Sequence, residues 1–245
     1  MFVLIITILK IVFLLGFLII LHEFAHYFVA KICGVKTNEF SIGFGKKLLQ
    51  KEVNGTVYTL RLIPLGGYVN LKGLDEKNSD ADSYTSVSVW KRMLIITAGG
   101  LANILVGLII YFVLIAVMSD LKTAFDGTIK FFFSIFNNLK LLFTGGVSIE
   151  QFMGPIGISN IISETKGIGE FVYLLALVSL SLGVTNLLPI PPLDGFKFLL
   201  LIVEAIRRKP FNEKFEYGAQ FLGFFLLLVL TVVIGYNDVL KICLK

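Results

Sequence analysis

Histidine and cysteine are scarce in this chain, with two of each in 245 residues. Cys33 and Cys243 lie near the ends of the first and last apolar stretches, which leaves no disulfide framework and no cysteine-pair metal motif. Charge is also thin. Asp, Glu, Lys and Arg make up 16% of the residues against 56% hydrophobic, and the mean hydropathy is +0.86. That balance excludes an ordinary soluble domain and points to a polytopic membrane protein. There is no internal repeat and no low-complexity tract. The net charge of +5 suits an anionic leaflet and calls for no nucleic acid.

What is present is apolar sequence in long runs. Stretches at 2–33, 93–118, 171–206 and 218–241 are long enough to span a bilayer, so an all-α protein with about four transmembrane helices is expected. The first run is too long, and lacks the cleavage site, for a removed signal peptide. Lys and Arg are dense in two connections. Residues 31–92 carry Lys31, Lys36, Lys46, Lys47, Lys51, Arg61, Lys72, Lys77, Lys91 and Arg92, and 204–217 carry Arg207, Arg208, Lys209 and Lys214. Those loops are expected in the cytoplasm, with both termini outside.

The first connection carries structure of its own. Asn54-Gly55 separates two strand-like runs, a hairpin signal, and "YVNL" offers a third strand. A small membrane-associated β-element over 46–72 is therefore expected, followed by a solvated acidic loop, "DEKNSDADSYTSVSV". In the third connection Phe125, Ile129, Phe132, Phe133 and Phe136 share one helical face. This predicts an amphipathic helix over 123–143 lying on the outer membrane surface.

Both histidines fall in "LHEFAH", at the end of the first apolar run. On a helix His22 and His26 are i and i+4, so their imidazoles point the same way and can share one Zn²⁺. Glu23 beside them can act as general base on a zinc-bound water. The bland reading is a His/Glu cluster hydrogen-bonding between helices. Ionisable groups inside a span are costly, which favours function.

With the histidines used, a third ligand must be Asp, Glu or Cys. Asp194 in "NLLPIPPLDGFKFLLLIV" is the outstanding carboxylate within an apolar stretch. Pro189, Pro191 and Pro192 cannot continue a helix, so the third span should unwind there and resume near Phe196. Asp194 then serves as ligand, as N-cap of the restarting helix, or as both. Glu204, Asp120 and Cys33 are weaker rivals. Asn186, before the prolines, either holds a substrate backbone or satisfies carbonyls freed by them.

The ordered set "HEFAH", "FSIGFG", "IPLGGYVNLKG", "AGGLANILVG", "MGPIGI" and "NLLPIPPLDG" resembles the site-2 protease family, most closely its bacterial regulator-of-sigma-E protease branch. The resemblance covers nearly the whole chain. It implies an intramembrane zinc metalloprotease in a bacterial cell membrane with its active site toward the cytoplasm. The implied substrates are single-span membrane proteins of the anti-sigma factor type or remnant signal peptides, cut in regulated intramembrane proteolysis. It also implies His22, His26 and Asp194 as zinc ligands, Glu23 as base, and Asn186 holding substrate near the metal. Gly43, Phe44, Gly45, Val57 and Tyr58 would belong to a membrane-re-entrant sheet that offers substrate an edge. Two departures stand out. Members of this branch usually carry one or two PDZ domains before the "GPIGI" region, and Met118–Phe125 leaves no room for one. Phe196 and Lys197 follow "LDG" where a second glycine is more usual, which bears on substrate range. The other readings of the residues are a catalytically silent membrane chaperone or adaptor, and a metal-ion transporter.

Overall fold

The computed structural model describes residues 2–74, 80–144 and 154–243. Its elements are α1 (Phe2–Ile32), β1 (Thr37–Val53), β2 (Thr56–Leu71), α2 (Val89–Met118), α3 (Leu121–Phe143), α4 (Pro155–Glu164), α5 (Ile168–Asn186), α6 (Asp194–Arg207) and α7 (Glu213–Cys243). Among the described residues four helices are long and apolar enough to cross a membrane: Leu4–Ile32, Val89–Met118, Ile168–Asn186 and Lys214–Lys241. The third expected span is two helices. Residues 187–193, with their three prolines, separate α5 from α6, and the helix restarts at Asp194, two residues before Phe196.

Without water to drive apolar faces together, spans associate through close backbone packing at small residues. That is how α2 meets α5. A β-carbon at Gly183 would lie 2.5 Å from the Gly100 carbonyl oxygen and 2.7 Å from the Ile104 nitrogen, and one at Gly107 would lie 2.8 Å from the Leu180 nitrogen. Ser179 Oγ donates to the Asn103 carbonyl across the same seam at 2.8 Å. Lys10, the lone charge early in α1, donates to the Thr165 carbonyl at 2.8 Å, at the C-terminal end of α4. Asp238 of α7 accepts from the amides of Gly154 and Gly157, both at 2.8 Å, at the other end of α4.

β1 and β2 form one sheet and both strands bend. Residues 47–53 pair with 56–61 across the turn at Asn54 (φ 52°) and Gly55 (φ 75°), the left-handed pair that a tight hairpin requires. Residues 37–42 have 67–71 on one side and 57–60 on the other. The sheet thus begins at Thr37, before the expected 46, and "YVNL" is the last part of β2. The early part was hidden because Asn38, Glu39 and Ser41 break the apolar alternation that marks a strand. Gly43 and Gly45, both at positive φ, make the bend in β1. At the far end of the sheet Phe44, Leu49, Leu62 and Ile63 are exposed, and Pro64 reaches α1 at Gly16. Gly16 is well before His22 along the span, so this apolar end lies at membrane depth. Residues 75–79 of the acidic loop lie outside the described residues.

α3 departs from the expectation of a surface helix. Asp120 caps it, accepting from the Thr123 amide at 3.0 Å, and the chain turns back directly after α2. Phe131 and Ile135 are buried in a cluster with Ala176, Leu180 and Val184 of α5 and with Ile104 and Leu108 of α2. The Phe131 ring stacks on Tyr111 at 4.1 Å. α3 is therefore packed alongside two spans. Of the face expected in lipid, Phe125, Ile129, Phe133 and Phe136 point away from this seam and are exposed, whereas Phe132 packs against it. The helix is apolar on two faces, and periodicity alone showed one.

Candidate metal centre

α1 carries His22 and His26 one turn apart on one face, as i and i+4 dictate. α6 begins at Asp194. The N-cap position is Leu193, and the carboxylate of Asp194, the first helical residue, is turned to the histidines. His22 Nε2 lies 3.0 Å from Asp194 Oδ2, His26 Nε2 lies 3.2 Å from the same oxygen, and the two Nε2 atoms are 3.1 Å apart.

These three atoms fit a zinc ion. Ligands at about 2.0–2.1 Å around a tetrahedral centre stand about 3.3 Å from each other. The triangle observed has nearly those edges. The proton inventory agrees. His26 Nδ1 lies 2.7 Å from the Ile95 carbonyl oxygen, which can only accept, so Nδ1 carries the proton and the Nε2 of a neutral ring is a bare lone pair. Asp194 Oδ2 is buried and, among the described residues, has no partner besides these two imidazoles. Lone pairs and a carboxylate facing one another at this distance suit a shared cation.

α2 backs the triangle with a glycine. A β-carbon at Gly99 would sit against His26 Nε2 and 2.6 Å from His22 Nε2. On the same stripe Asn103 is fully buried with its amide toward His22 Nδ1 at 3.4 Å. Ile95, Gly99 and Asn103, four residues apart in sequence, were not singled out by spacing. The one available signal was an Asn inside an apolar span.

Glu23 stands next to this triangle. Its carboxylate faces the backbone N–H of Val69, and Gly67 packs on its Cγ. A cleft of about 160 Å³ opens over the centre, lined by His22, Glu23, His26, Asp194, Tyr68, Val69, Leu71, Leu74, Ile96 and Lys197. Lys197 thus reaches the site, as its place one turn after Asp194 allows.

The remaining sequence candidates are less central. Asn186 ends α5, half-buried, and its side chain makes no hydrogen bond among the described residues. Gly43, Phe44 and Gly45 form the bend of β1, with Phe44 lying over Gly66, and they do not line the cleft. Val57 and Tyr58 do not stand at an open edge. Val57 has Glu39 on one side and Glu52 on the other, and Tyr58 has Phe40 and Lys51. The segment beside the cleft is 67–71. The hairpin pattern identified the strands, but the unseen 37–42 segment fills the side that had looked open.

The profile of peptidase family M50, the site-2 proteases, matches residues 10–230. The chain belongs to that family. It is 39% identical over 129 residues to "Zinc metalloprotease RasP" of Shouchella clausii, covering 52% of this chain and 31% of the relative. It is 41% identical over 113 residues to the RasP of Bacillus licheniformis, covering 45% and 27%. "Putative zinc metalloprotease FN1322" of Fusobacterium nucleatum is 24% identical over 337 residues, covering 96% of this chain and 99% of the relative. That alignment is longer than the chain, so the relative carries residues with no counterpart here. Such an excess is what a family member without an inserted module predicts. Membership makes the chain a multi-pass zinc metalloprotease.

Proposed function

We propose that the chain hydrolyses a peptide bond within or beside the transmembrane segment of single-span membrane proteins or remnant signal peptides. The observation that carries the reading is the convergence of His22, His26 and Asp194, with Glu23 beside them, at the end of a membrane span. Lys and Arg density supports an orientation with this end toward the cytoplasm, and the bacterial cell membrane location rests on the family resemblance. The role in regulated proteolysis of anti-sigma factors rests on the family resemblance alone.

Bound zinc supplies a Lewis acid and an acidified water. Glu23 takes a proton from the attacking water and returns it to the leaving amine. A helical substrate hides its scissile carbonyl in intrahelical bonds, so it must be drawn out as a strand. Tyr68, Val69 and Leu71 offer a backbone edge along the cleft for that purpose. The free amide of Asn186 is suited to hold the strand from the other side. Lys197 adds a cation near the reacting carbonyl. The apolar end of the sheet, at membrane depth, suits a substrate arriving from lipid.

The test is purified protein in lipid or detergent, assayed for zinc and for cleavage of a panel of transmembrane peptides. About one zinc per chain, lost in Asp194→Ala, with cleavage by the parent alone, is expected. A folded, zinc-loaded parent that cleaves no member of the panel would leave a silent adaptor as the better reading.

A further inference from the structure

We infer that Asn103 orients His22 for the metal, by accepting the Nδ1 proton of that imidazole through its amide oxygen. Nε2 of His22 faces Asp194 and His26, so it is the ligating nitrogen and must be bare. The proton of a neutral ring then sits on Nδ1, and the group facing Nδ1 has to be an acceptor. Among the described residues, the side chain that faces Nδ1 is the Asn103 amide, with Nδ2 at 3.4 Å. Oδ1 of the same amide is buried without a partner among the described residues. The two ends of an amide differ only in which atom is named oxygen, and the hydrogen-bond network decides. A donor facing a donor is excluded once Nε2 binds metal. Rotating the amide by half a turn puts Oδ1 at the Nδ1–H and gives the orphaned oxygen its partner.

The assignment completes a pattern. His26 is held in the same tautomer by the Ile95 carbonyl at 2.7 Å. α1 and α2 run antiparallel here, so Ile95 serves His26 and Asn103 serves His22, with Gly99 leaving room between them. Asn103 is fully buried, and Ser179 Oγ pins its backbone carbonyl. An unpartnered Asn inside a span is costly, and a fixed role repays the cost.

The inference rests on His22, His26 and Asp194 being the ligands, and zinc loss in Asp194→Ala tests that separately. For Asn103 the readout is zinc affinity by chelator competition, with the melting temperature of the metal-free protein measured alongside. Asn103→Leu has similar bulk and no acceptor. It should weaken zinc about 10- to 100-fold, the usual cost of losing a partner of a ligating histidine, while the metal-free protein still melts cooperatively near the parent. Asn103→Asp keeps an acceptor and should bind zinc more tightly than the Leu variant. Parent-like zinc affinity in Asn103→Leu, or equal losses in the Leu and Asp variants when both are folded, would overturn the assignment.

Discussion

Gly99 approaches His22 so closely that a β-carbon would stand 2.6 Å from its Nε2, the nitrogen that faces Asp194. Real β-carbons do not come that near, and the backbone of α2 cannot retreat, because Gly100 is already in contact with Leu187 and Gly183. Gly99→Ala should therefore push the imidazoles out of the triangle and weaken zinc at least tenfold. Gly235→Ala, at a site with nothing within 4 Å, should leave zinc untouched. Equal zinc content in the two variants under chelator challenge would show that the cradle is not tight.

Glu23 touches the cleft without belonging to the ligand triangle. Glu23→Gln keeps the shape and the Val69 contact but cannot take a proton. Cleavage should fall at least about 100-fold, the contribution typical of a positioned general base, at unchanged zinc content. Activity within tenfold of the parent would remove Glu23 from the role of base.

Much of this centre was legible because it depends on short-range geometry. His22 and His26 lie one turn apart on one helix with Glu23 next to the first, so spacing alone aligns the imidazoles and puts the carboxylate beside them. Asp194 emerged by inventory, since few carboxylates sit in apolar sequence, and the prolines before it announced the break between α5 and α6. Gly99 and Asn103 were not legible in that way. Their importance comes from which helix lies behind α1, and a single sequence does not carry that pairing. The sheet edge was misjudged for a related reason. The turn fixed the pairing of 47–53 with 56–61, but the partner on the other side of 57–60 comes from a weakly patterned segment more than a dozen residues earlier.

The two candidate edges can be separated by proline. Val57 is flanked by strand segments on both sides, so Val57→Pro should disrupt the sheet and lower the melting temperature. Val69 pairs with Phe40 on one side and turns its N–H to the cleft and Glu23 on the other. Val69→Pro removes a cleft-facing donor, so cleavage should slow with zinc and melting temperature near those of the parent. Parent-like turnover in a folded Val69→Pro protein would argue that substrate does not pair along 67–71.

The placement of α3 also has a direct test. Phe131 is 7% exposed and stacked on Tyr111, whereas Phe125 is 60% exposed. Phe131→Ala leaves a void between α2, α3 and α5, for which a few kcal/mol is a typical cost, and this should lower the melting temperature by several degrees. Phe125→Ala should stay within about 1–2 °C of the parent, as outward-facing substitutions usually do. Equal effects would return α3 to a loosely attached surface helix.

The topology follows from charge and can be read with single cysteines in a background lacking Cys33 and Cys243. Ala81 is exposed in the Lys- and Arg-rich connection after β2, and Lys122 is exposed at the start of α3, across α2 from it. α2 is long enough to cross the bilayer, so the two positions stand on opposite sides. The proposed orientation puts the basic connection in the cytoplasm. Ala81→Cys should be silent to an impermeant thiol reagent in intact cells and labelled after permeabilisation, and Lys122→Cys should be labelled from outside. The placement of the metal centre depends on the same result, since His26 lies near the end of α1 that leads into the basic connection. Labelling of Ala81→Cys from outside would invert the protein and put Glu23 near the opposite face of the membrane.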